Sequence, residues 1–125
     1  MRSKLARLKD NVWDLCSEYI RRRDLGRCFT CGDIRSWKEQ NAGHFVHGKE
    51  TPIYFDEVNL HCQCVNCNKW NSGRLDVYSG KLISKYGSKK VQWLLAQKYK
   101  LHHYTIKELE ALKVKFQVKL KEINY

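Results

Sequence analysis

The chain has 125 residues, a single proline, six cysteines and a formal net charge of +11. That length supports one domain with a modest core. No apolar run approaches the ~20 residues a membrane span requires, and charges scattered through "MRSKLARLKDNVWDL" exclude the apolar segment of a secretory signal. The chain is therefore expected to stay in the cytosol where it is made. Residues 1–27 carry a net +4, residues 28–73 carry −1 and residues 74–125 carry +8. Two basic flanks around a near-neutral, cysteine-bearing centre suit a polyanionic partner, bound through phosphate neutralisation and counterion release. Charge runs of this kind also occur as solvated helix faces.

Leu5, Leu8, Val12, Leu15, Cys16, Tyr19 and Ile20 recur at three- and four-residue steps, predicting an amphipathic helix over 4–24 that ends near Gly26. Cys16 falls on its apolar stripe and reads as a small core residue. From Cys28 to Phe55 the chain is broken by Gly32, Gly43, Gly48 and Pro52, as knuckles, strands and loops require. "GHFVH", residues 43–47, alternates and predicts a strand with His44 and Val46 on one face. A helix is expected to begin after Cys64. Two more follow, divided at Gly87, with Ser88 as an N-cap. The last opens on Thr105 and Glu108 at capping-box spacing, and Leu109, Leu112, Phe116, Leu120 and Ile123 form its apolar stripe.

Cys28-Phe-Thr-Cys31 and Cys64-Val-Asn-Cys67 are two CxxC pairs with 32 residues between them. In a cytosolic chain such pairs are metal ligands or thiols rather than disulfides. Each pair can turn two thiolates toward one tetrahedral zinc. Cys62 competes with Cys64, but only the 64/67 pair repeats the spacing of 28/31. A four-cysteine zinc site is closed and structural, so any chemistry must come from what the zinc holds in place. His44, His47, Asp56, Glu57, Asn59, His61 and Asn68 lie between or beside the knuckles. A histidine base with an asparagine and a carboxylate on a hard divalent cation is a set suited to phosphodiester hydrolysis.

"GH" at 43–44, Asn59 five residues before Cys64, and "CVNCN" at 64–68 resemble the His-Asn-His nuclease motif in its H-N-N form. "FDEVNLHCQCVNCN", Gly73, Tyr78, Leu82, "YG" at 86–87 and the C-terminal "TIKELEALKVKFQVKL" tighten the resemblance to the phage NinG (Rap) recombination nucleases. The order of cysteines, histidine and asparagine is also similar to that of phage endonuclease VII. The resemblance implies an α+β, mostly helical single domain around a zinc-clamped ββα-metal, treble-clef-like core. A basic helix at 1–27 and basic helices at 75–125 would flank that core at 28–74. It implies a metal-dependent endonuclease of the bacterial host's cytoplasm that cuts branched double-stranded DNA, Holliday junctions and D-loops, with a homodimer as a possible state. His44 would be the general base, Asn59 the brace of the loop and of the histidine's backbone, and Asn68 a ligand of catalytic Mg²⁺ or Mn²⁺. Zn²⁺ on Cys28, Cys31, Cys64 and Cys67 would be structural.

One departure matters. The wider nuclease family places an acidic metal ligand directly before the histidine, where this chain has Gly43. Asp56 is the first candidate to replace it and His61 the second. Asp56 could instead cap a turn, and His61 could face the knuckle. The wider motif also often has a lysine where Asn71 stands, leaving His47, Lys69 and Arg74 as candidate phosphate contacts. Trp37, Trp70 and Trp93 read as core anchors or as wedges at a branch point, with the core the first expectation, and His102 and His103 are expected on the surface. The competing readings are a zinc-stabilised DNA-binding recombination factor without catalysis, and an RNA- or ribosome-associated zinc module.

Overall fold

A computed structural model describes residues 2–125. Helix α1 spans Lys4–Arg23, with Ser3 accepting from Ala6 N at its start and Arg21, Arg22 and Arg23 complementing the dipole in its last turn. A two-stranded antiparallel sheet follows, β1 (Asn41–His44) and β2 (Leu60–Gln63). Then come a π-turn (Asn66–Trp70) and helices α2 (Leu75–Tyr86), α3 (Ser88–Ala96) and α4 (Ile106–Glu122). The capping box of α4 forms as its sequence predicts, Thr105 and Glu108 each accepting from the other's backbone N–H.

The sheet is the middle layer. Its register sets Asn41 opposite Gln63, Gly43 opposite His61, Ala42 opposite Cys62 and His44 opposite Leu60. Side chains alternate between faces, so Ala42 and Leu60 pack against Val12, Cys16 and Ile20 of α1 and Leu109 and Phe116 of α4. Tyr78 and Leu82 of α2 and Val91 and Leu94 of α3 build a second cluster with Phe45, Val46 and Ile53. Arg23 joins α1 to the sheet: it pairs with Asp24 and donates to the Leu60 carbonyl at 2.8 Å, while Asp24 accepts from Cys62 N at 2.8 Å. Side chains from all three predicted segments thus meet in one core. Among the described residues no helix is long and apolar enough to cross a membrane.

Four sequence expectations change. The strand predicted over 43–47 ends at His44, and Phe45 and Val46 are both buried rather than alternating. The reason is Asn59, whose side-chain amide pairs with the backbone N–H and C=O of Val46 as a neighbouring strand would. Ser88 lies inside α3, with Gly87 as its N-cap. After Cys64 the chain makes one wide π-turn instead of a regular helix, closed by Asn71 N donating to Asn66 O at 3.0 Å and by the Asn71 side-chain amide at 2.9 Å. Trp70 and Trp93 are 78% and 45% exposed, and Trp37 lies under the Arg21 guanidinium at 5.0 Å. None of the three enters the core, because smaller apolar side chains of the helices already fill both clusters. From the apolar stripe of α4, Leu109 and Phe116 lie in the α1 cluster and Leu112 packs against it.

Candidate functional site

The four cysteines of the CxxC pairs come together with their sulfur atoms all within 4.8 Å of one another, and they form the single such metal-ligating group among the described residues. Cys31 Sγ and Cys64 Sγ are 3.7 Å apart, close to the ~3.8 Å edge of a tetrahedron with Zn–S of about 2.3 Å. Gly32 adopts φ +82, the left-handed turn that lets its N–H return to the Cys28 carbonyl. Burial works to raise the Cys28 thiol. Hydrogen bonds from Thr30 Oγ1 and from backbone N–H groups overcome it and bring the thiol down to about 6, favouring the thiolate a metal requires. Cys16 and Cys62 lie outside the cluster, and burial pushes both thiols up to about 12. The donor set fits zinc, and the second knuckle fixes the start of the π-turn, since Asn68 N donates to Cys64 O at 2.9 Å.

His44 closes β1. Its ring stacks on Trp13 at 5.0 Å and on Tyr54 at 4.8 Å. Nε2 lies 2.9 Å from the Tyr54 carbonyl. A carbonyl only accepts, so Nε2 carries the hydrogen and Nδ1 keeps a lone pair. Nδ1 makes no hydrogen bond with the protein and is not sealed from solvent. Burial lowers the imidazole to about 4, with the neighbouring His47 adding to the fall and the Tyr54 carbonyl opposing it. At neutral pH the ring is therefore uncharged, in the tautomer a base uses.

Asn59 is fully buried. Its Oδ1 accepts from Val46 N at 2.8 Å, its Nδ2 donates to Val46 O at 3.0 Å and Ile53 O at 3.2 Å, and its carbonyl takes Phe45 N at 2.9 Å. It thus closes the loop from His44 to Ile53 from within. Asn59→Ala would leave several buried backbone groups unpaired at about 1–3 kcal/mol each. Urea unfolding of the zinc-loaded variant should show a loss of about 3 kcal/mol or more; a change within experimental error would remove Asn59 from this role.

Asp56 is spent on the turn that presents Asn59, its Oδ1 accepting from Val58 N at 2.8 Å and Asn59 N at 3.3 Å. It faces His102 and Glu108 at the start of α4 and joins no metal-ligating group. His61 is also committed elsewhere. Tyr78 gives its one hydroxyl hydrogen to Gly43 O at 2.7 Å, so it can only accept from His61 Nδ1 at 3.3 Å, and Tyr86 OH donates to Nε2 at 3.0 Å. Burial against Phe29 and Tyr78 lowers this ring to about 3, with nearby Arg23 contributing. No lone pair remains for a metal. Both candidates for the second catalytic ligand are thus engaged in structural hydrogen bonds.

Asn68 reaches Gly43: its Oδ1 is 3.0 Å from where a glycine Cβ would stand. That same position falls on Gln63 Oε1, a side chain the motif reading passed over. Only the β1–β2 register, which a linear motif does not contain, brings Gln63 to Gly43. Exposed His47 lies 6.3 Å from His44, centroid to centroid, with its Nε2 3.8 Å from the Cβ position of Gly73. Arg74 follows in the left-handed conformation, φ 47, with a buried Nε that has no hydrogen-bond partner and no ion pair. Lys69 is exposed on the π-turn, and the expected surface positions of His102 and His103 are observed, each facing a glutamate.

The sequence profile described as Bacteriophage Lambda NinG protein matches residues 3–125. The chain is similar to the protein ninG of Escherichia phage 933W, 37% identical over 108 residues covering 85% of this chain and 53% of that protein. The ninG proteins of Escherichia phage lambda and Salmonella phage P22 are each 37% identical over 108 residues, covering 85% of this chain and 52% of theirs. The chain thus spans about half the length of these relatives. No solved structure matches it. Over nearly its whole length, this chain belongs to the family of the bacteriophage lambda NinG protein.

Proposed function

We propose that the chain is a metal-dependent endonuclease of the His-Asn-His, ββα-metal type, selective for branched DNA such as Holliday junctions and D-loops. The observation that carries the reading is His44: a neutral imidazole with Nε2 tied to a carbonyl and Nδ1 free, at the strand end where Asn68 Oδ1 approaches Gly43. His44 Nδ1 would take a proton from the water that attacks the scissile phosphorus. Asn68 would hold Mg²⁺ or Mn²⁺, whose charge, when bound, stabilises the transition state and the departing 3′ oxygen. Arg74, His47 and Lys69 would contact the phosphate, and Arg74 carries no carboxylate partner to displace. Lys4 and Arg7 of α1 and Lys113 of α4 border one groove, suited to a DNA arm. Trp70, two residues from Asn68, is exposed enough to stack on an unpaired base at a branch.

A labelled four-way junction, a three-stranded loop and a linear duplex, each offered with Mg²⁺ or without it, test the reading, zinc content being held at one per chain. Nicking of the branched substrates in Mg²⁺, with the linear duplex spared, is the expected result. Binding of branched DNA without cleavage in any divalent metal would favour the second reading, a zinc-folded DNA-binding recombination factor. Gly43, which offers no ligand, is the feature that supports that alternative.

A further inference from the structure

We propose that Gln63 is the second protein ligand of the divalent cation, its Oε1 standing where Gly43 has no side chain to offer. The inference rests on the nuclease reading for what the cation does, but not for whether it binds. Gln63 is fully buried at the end of β2, on the same sheet face as Gly43. A Cβ at Gly43 would fall on Gln63 Oε1 and lie 2.8 Å from its Cδ. The space an acidic side chain would take from position 43 is therefore held by an oxygen arriving from the opposite strand.

The orientation of that amide is determined. Gln63 Nε2 is 2.8 Å from Gly73 O and 3.1 Å from Thr30 Oγ1. Gly73 O can only accept, so the nitrogen must face it and the oxygen must face Gly43. Oε1 there is buried and has no hydrogen-bond donor. Such an orphaned buried acceptor is unfavourable, and Asn68 Oδ1 lies 3.0 Å from the same Cβ position. Two hard amide oxygens within 3.0 Å of one point suit a small divalent cation. Zinc would not choose this pair while four thiolates stand nearby. The competing arrangement turns the Asn68 amide so that it donates to Gln63, and that arrangement has no affinity for a cation.

Mn²⁺ binding to the zinc-loaded chain, followed by the spin-resonance signal of the free ion, decides between them without DNA. Wild type should show one weak saturable site. Gln63→Ala should weaken it by about tenfold or more, and Asn68→Ala likewise. Adding Gly43→Asp to Gln63→Ala should restore or exceed wild-type affinity, because the vacated space then admits a carboxylate beside Asn68. If Gln63→Ala fails to retain zinc, Gln63→Met fills the same volume without an oxygen and is read in the same way. Unchanged Mn²⁺ affinity in the Gln63 variants, or no saturable site in wild type, would overturn the proposal. A chain that nicks junctions while its Gln63 variants keep Mn²⁺ loses this inference and retains the nuclease reading. A chain that shows the predicted Mn²⁺ pattern but never nicks loses the nuclease reading alone.

Discussion

Replacing His44 by alanine is expected to lower junction cleavage by about 10²–10⁴-fold, the usual contribution of a positioned general base, while junction affinity stays near wild type. The ring makes one hydrogen bond, from Nε2 to the Tyr54 carbonyl, and two stacking contacts, with Trp13 and Tyr54. Its loss therefore opens a small gap and removes one donor, without touching the basic helices that would bind phosphate. Zinc content and the thermal midpoint of the variant separate a chemical defect from an unfolded chain. The pH dependence adds a second readout. Burial lowers His44 to about 4 from an ordinary 6.5, so the neutral form persists well below pH 6.5 and the acid limb of kcat/KM should lie nearer pH 4. The unfolded chain binds the proton at higher pH than the folded one. The stability His44 contributes is thus present above pH 6.5 and lost as pH falls toward 4. His61, lowered to about 3, acts in the same direction. Thermal melts of wild type and His44→Ala between pH 4 and 7 should therefore converge toward the acid end. An acid limb at pH 6.5, or cleavage by His44→Ala at the wild-type rate, would remove His44 as the base.

Removing the zinc should have the larger effect on the fold. Apparent zinc affinities of structural cysteine sites amount to about 10–16 kcal/mol, comparable to the ~5–15 kcal/mol that holds an ordinary domain together. Here the four sulfurs join the Cys28 knuckle to the start of the π-turn. Phe29 N donates to Cys62 O at 2.8 Å, so the same unit anchors β2. Cys64→Ser is expected to abolish stoichiometric zinc, leave residues 28–74 without a cooperative unfolding transition and eliminate cleavage. Cys62→Ala makes the informative contrast. That thiol is buried but outside the cluster, so the variant should keep one zinc per chain and lose only about 1 kcal/mol. Omission of Mg²⁺ should spare the fold altogether. Retention of zinc by Cys64→Ser, or its loss from Cys62→Ala, would reassign the ligands.

Features carried by neighbouring residues were legible in the sequence. The period of α1, the Thr105–Glu108 box of α4 and the two CxxC pairs each depend on residues a few positions apart, and each stands as predicted. The loop between β1 and β2 and the contacts of β2 itself are not read in that way, and there the structure differs from the expectations. Asn59 ended the predicted strand by pairing with Val46 through its side chain. Asp56 and His61, chosen because carboxylates and imidazoles bind metals, were drawn into an Asx turn and a tyrosine network. Local pattern was enough for the four α-helices, the cysteine cluster and the candidacy of His44, Asn59 and Asn68. The tautomer of His44 and the placement of Gln63 Oε1 beside Gly43 emerge from the folded chain alone. Both depend on atoms brought together by strand register and burial, and neither register nor burial is encoded at any single position of the chain.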